Sequence, residues 1–138
     1  MRKKIIIPLL ITLAISGCNN PFASAPECSD KSVKDLVITL YGDIVKQSKD
    51  NPLTNIFAQG IPSSLKSVNT ARSTDYNKDI LLRSCRAEGI TDNGIEISIK
   101  YTVQFLKEEN DFMVELDSDF LEGLMQKSIM DTISKMKK

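Results

Sequence analysis

The side chains able to make or break bonds are few in this chain of 138 residues: three cysteines, Cys18, Cys28 and Cys85, no histidine, and a scatter of carboxylates. A cysteine pair acting as a metal or catalytic site needs close spacing or a basic partner, and here there is no CxxC spacing and no imidazole. The nearest approach to a carboxylate cluster is Asp111, Glu115, Asp117 and Asp119, which reads as the solubilised end of a strand followed by the acidic start of a helix. Asp92-Asn93-Gly94 has the opening of a calcium-binding loop but lacks the ladder of further oxygen ligands and the closing glutamate. Glycine-rich phosphate loops are absent. With no general base and no carboxylate pair in a defined setting, the chain reads as non-catalytic and free of metal and cofactor.

The first residues carry a different kind of chemistry. Arg2, Lys3 and Lys4 precede an apolar run from Ile5 to Ile15, followed by Ser16, Gly17 and Cys18. A basic start, a short apolar core and small residues before a cut site describe a secretory signal, and the run is shorter than the roughly 20 apolar residues of a spanning helix. The order Ile15-Ser16-Gly17-Cys18 resembles the lipobox of bacterial lipoproteins. The resemblance implies that residues 1–17 are removed. It further implies that Cys18 carries a diacylglycerol and, on its new amino group, a fatty acyl chain such as palmitate. Two or three chains hold a protein stably on a bilayer, whereas one does so only marginally. Asn19 stands where aspartate signals retention in the inner membrane, so the resemblance points to the outer membrane, with the domain in the periplasm or at the cell surface. A plain secreted protein, cut at Gly17 or after Ala23 or Ala25, is the alternative.

With Cys18 taken by lipid, Cys28 and Cys85 are the remaining pair in a compartment where disulfides persist, and a bridge between them is expected. Residues 18–29, with Pro21 and Pro26 among small polar residues, read as a tether, and residues 30–138 as one domain. Removal of the leader takes Arg2, Lys3 and Lys4, which leaves 15 basic against 18 acidic residues. That balance argues against a nucleic-acid binder dependent on a concentrated basic face.

Several elements must position whatever site exists. Val33, Leu36, Val37, Leu40, Tyr41, Ile44 and Val45 recur at helical spacing, predicting a helix from Asp30 to about Gln47, capped by Ser29 or Asp30 and stopped before Asn51-Pro52. Residues 52–62 read as a short helix or loop. Strands are expected at 64–73 and 79–88, with a turn at 74–78 between them. Beyond the Asn93-Gly94 turn the odd positions Ile95, Ile97, Ile99, Tyr101, Val103 and Phe105 are apolar and the even positions polar, an alternation that places one face of a strand in the core. A strand over 112–116 and a helix from Ser118 or Asp119 to about Met136 complete the chain.

The expected architecture is therefore α+β: an N-terminal helix, an antiparallel sheet of three or four strands, and a C-terminal helix. One helix followed by a meander is similar in topology to cystatin-like and nuclear-transport-factor-like folds, apart from the last helix. The expected activity is binding of a protein or envelope component, in the manner of immunity, exclusion, inhibitor or assembly lipoproteins. Candidate binding residues are Lys100, Thr102 and Gln104 on the polar side of the sheet, joined by Arg83 or Arg86 from the neighbouring strand. The methionines of the last helix, Met125, Met130 and Met136, suit contact with another copy. The alternative is a carrier whose cavity, lined by Ile97, Ile99, Tyr101, Val103 and Phe105, holds a small apolar ligand.

Overall fold

A computed structural model describes residues 24–138. The signal, the lipobox with Cys18 and the first part of the tether lie outside the described residues. Three helices, α1 (Lys31–Asp50), α2 (Asn55–Ala58) and α3 (Asp119–Met136), flank four strands, β1 (Leu65–Asn77), β2 (Leu82–Thr91), β3 (Glu96–Leu106) and β4 (Asp111–Leu116). The strands form an antiparallel meander in the order β1-β2-β3-β4, so the expected α+β architecture is the one observed.

α1 buries Val33, Val37, Tyr41 and Val45, one residue per turn, on a single stripe against the sheet. Its start departs from expectation. Asp30 is the N-cap but makes no capping bond. Its carboxylate turns back and accepts from Glu27 N at 3.1 Å. The helix ends where proline demands, with Asn51 extended before Pro52.

β3 fulfils its alternation: Ile99, Tyr101 and Val103 are buried while Glu96, Ser98 and Lys100 are exposed. β2 presents Cys85, Ala87 and Thr91 to the same core face, all buried, with Cys85 across from Tyr101 and Ala87 across from Ile99. The turn between β2 and β3 uses Gly94 at φ +84°, a left-handed conformation that only glycine adopts without strain. Thr91 seals this turn, its hydroxyl 2.6 Å from Asn93 Oδ1 and accepting from Ile95 N at 2.9 Å.

The first hairpin differs from its sequence reading. β1 runs four residues past Ser73, and the turn moves to residues 78–81. The cause is irregular pairing. β1 shifts register against β2 at three places, one of them beside Thr70 with φ 47°, so its 13 residues span only the ten of β2.

β4 pairs only with Tyr101 to Leu106, which leaves the first half of β3 without a strand on that side. The chain closes the gap with the start of α3: Asp117 N donates to Lys100 O at 2.9 Å, and Phe120 brings its ring 5.1 Å from that of Tyr41. Ordered packing also begins earlier than Ser29. Ala25 and Cys28 are both buried, so the second part of the expected tether belongs to the core.

Candidate binding face

The pleat sorts the candidate residues. Arg86 lies directly across from Lys100, Ser84 from Thr102 and Leu82 from Gln104, and Thr102 in turn lies across from Glu115 on β4. Residues directly opposite share a face, so Arg86, Lys100, Thr102 and Gln104 meet on the side of the sheet turned away from α1. Arg83 does not join them. One residue from Ser84, it points to the core side by the period-two rule, and its register partner is Val103.

Arg83 has a structural task instead. Its guanidinium donates to Pro26 O at 3.1 Å and Ala25 O at 3.3 Å, lies 3.3 Å from the Glu27 carboxylate and stacks 4.6 Å from the Tyr76 ring. Only 11% of its side chain meets solvent. Together with the Cys28–Cys85 disulfide, whose Cα atoms lie 5.8 Å apart, it straps the segment before α1 across the sheet. A guanidinium suits this position because its several donors can satisfy two carbonyls at once.

On the open side, Thr74, Ser84, Arg86, Lys100, Thr102 and Glu115 border a groove of about 660 Å³ that continues to Asp117 and Ser118. Its residues are not equally available. Lys100 Nζ sits 3.6 Å from Asp119, and Gln104 donates to Ile80 O at 3.3 Å, bracing the first hairpin. Among the described residues, Arg86, Thr102 and Glu115 make no side-chain hydrogen bond or ion pair. The groove is bipolar: the cations Arg86 and Lys100 stand beside the carboxylates Glu115 and Asp117. Such a surface complements a polar partner carrying both charges.

Ser84 was not singled out in the sequence, and Glu115 was read there only as part of a solubilised strand end. Period-two counting outward from buried Cys85 would have placed Ser84, whereas Glu115 needed the register of β4. Among the described residues, no three of His, Cys, Asp and Glu are grouped to hold an ion. Two buried hydroxyls are perturbed. Burial pushes the Tyr101 hydroxyl up to about 12, and burial reinforced by the Asp92 charge does the same to Tyr41. Both phenols face protein carbonyls, Cys28 O at 2.8 Å and Pro62 O at 2.9 Å, and take no part in the groove's polar surface. No described helix is long and apolar enough to cross a membrane. Compared with known proteins, the chain matches no protein-family profile, no curated protein and no solved structure.

Proposed function

We propose that this chain is an outer-membrane lipoprotein, anchored by acyl chains on Cys18, whose domain binds a protein of the cell envelope without catalysis through the open side of its sheet. The observation that carries the reading is the pairing of Arg86 directly opposite Lys100. Like charges across a ladder are unfavourable for the sheet itself. Asp119 compensates only Lys100, so Arg86 keeps an uncompensated charge in a groove ready for an anionic group. Glu115 and Asp117 on the far wall add the opposite charge and fix the orientation of what binds.

The anchor is consistent with where the domain begins. From Cys18 to the strapped Ala25 the chain reaches at most about 25 Å when fully extended. The domain would therefore stay near the bilayer, where envelope proteins are concentrated. A carrier of a small apolar ligand would need space around Ile99, Tyr101 and Val103. These side chains are 0%, 2% and 0% exposed, which leaves no water-sized gap beside them. Of the other two lining residues, Ile97 and Phe105 are half-buried, and Ile97 borders a pocket of about 330 Å³ between β3 and the start of α3.

Crosslinking the full chain in its own envelope, with mass spectrometry of what is attached, tests the reading. One recurring protein, lost in Arg86→Glu, is the expected result. An extracted lipid or small molecule with no protein attached would overturn it in favour of the carrier.

A further inference from the structure

α3 carries apolar residues on two sides. Phe120 and Leu124 are buried against the core. At about 100° per residue, Ile129, Ile133 and Met136 fall on the opposite side of the helix from that pair, and they are 37%, 41% and 75% exposed. Met130, 67% exposed, borders the same stripe, and α2, packed beside α3, adds exposed Ile56 and Phe57 at this end of the molecule. Single exposed apolar residues are ordinary, but a stripe that continues along a helix after its core contacts have ended leaves apolar surface that a second partner would cover.

The charges on the same helix say which partner fits. Asp119 and Glu122 stand at its start and Lys135, Lys137 and Lys138 at its end. When two copies lie antiparallel about a two-fold axis between Ile129 and Met130, residues 122 and 137 are equidistant from the axis. Glu122 of each copy then faces Lys137 of the other. Neither residue has an ion pair among the described residues. The same symmetry brings the two Ile129–Met130 steps together as the apolar centre of the seam, sets Ile133 beside Gln126 and Met136 beside Gly123 of the other copy, and opposes the two helix dipoles. A parallel arrangement would set acid against acid and base against base. We infer that the exposed side of α3 is the interface of a two-fold homodimer with antiparallel α3 helices.

The experiment introduces one cysteine next to the axis, Ile129→Cys, in the full chain. Oxidation with copper phenanthroline and a non-reducing gel follow, with the parent chain as the control for Cys18. A cysteine near a two-fold axis meets its own copy, so a band at twice the chain mass is expected, and mass spectrometry should find only this chain in it. Glu108→Cys, in the turn between β3 and β4, should remain monomeric under the same oxidant. In the Ile129→Cys background, Glu122→Lys should lower the dimer yield severalfold, and Glu122→Lys with Lys137→Glu should restore it. These are exposed positions, so loss of the band is not a loss of fold. A monomer at Ile129→Cys, or a band that contains a different protein, overturns the inference.

Discussion

The hydroxyl of Tyr101 donates a 2.8 Å hydrogen bond to the carbonyl of Cys28, 73 residues earlier. Tyr101 also lies directly across from Cys85, the disulfide partner of Cys28. The centre of the sheet and the residue that opens the domain are thus joined twice, once covalently and once by a buried phenol.

That phenol and the phenol of Tyr41 make stability depend on alkali. Both folded-state values lie at about 12, above the ordinary 10.0. Below pH 10 both folded and unfolded chains hold these protons, and the contribution is intact. Between 10 and 12 the unfolded chain releases protons that the folded chain retains, so stability falls as pH rises, by roughly 2–3 kcal/mol for each tyrosine across the window. Denaturant unfolding at about pH 9 and about pH 11.5 should show the loss. Tyr41→Phe and Tyr101→Phe should each flatten the slope. Tyr101→Phe should also cost about 1–3 kcal/mol at neutral pH, because the buried Cys28 carbonyl loses its donor.

Cys28→Ser should lower stability strongly. The bridge spans a sequence separation of 57, and chain entropy alone assigns such a loop roughly 4 kcal/mol. Thermal melting with and without reductant measures the effect, which should vanish in the variant. Free thiols titrated at both Cys28 and Cys85 in protein from oxidising cells would contradict the bridge.

Much of this fold was legible because its signals are local. The alternation from Ile95 to Phe105 is long enough to fix both faces of β3, and the stripe Val33, Val37, Tyr41 and Val45 identifies α1 and its buried side. What escaped depends on distant residues. Arg83 resembles a surface cation until residues 25–28 are seen folded over it, and the extension of β1 to Asn77 follows from bulges that no short-range pattern announces. In α3 the first turns bury Phe120 and Leu124 while Ile129, Ile133 and Met136 of the later turns stay exposed, a division that depends on how far the core reaches along the helix and that the apolar residues alone do not mark. The candidate groove was half legible: the sequence presented Lys100 and Thr102 with Arg83 or Arg86 beside them, but the choice of Arg86 over Arg83 and the company of Glu115 are consequences of register.

Gly89 is a test of how tightly the sheet is covered. A Cβ there would collide with Ile99 Cδ1 and lie 3.0 Å from Leu65 Cδ2 and 3.2 Å from Ile97 Cγ1. Gly89→Ala should therefore destabilise by about 1–3 kcal/mol through overpacking. Denaturant unfolding should show a lower midpoint with an unchanged slope.

Cys18→Ala tests the proposed anchor. The variant should move from the membrane pellet to the soluble fraction, with the domain's melting temperature unchanged because the core is built from residues 25–124. Fractionation with membranes regardless of the substitution would remove the lipid from the proposal.

The open sheet face is tested most directly by a photoreactive side chain placed at Ser84, inside the groove, and, in a separate variant, at Lys46 on the outer surface of α1. Irradiation of intact envelopes should attach one recurring protein from Ser84 and nothing consistent from Lys46. Capture of that protein from Lys46 but not from Ser84 would place the binding surface on the other side of the molecule and contradict the role assigned to Arg86, Lys100 and Glu115.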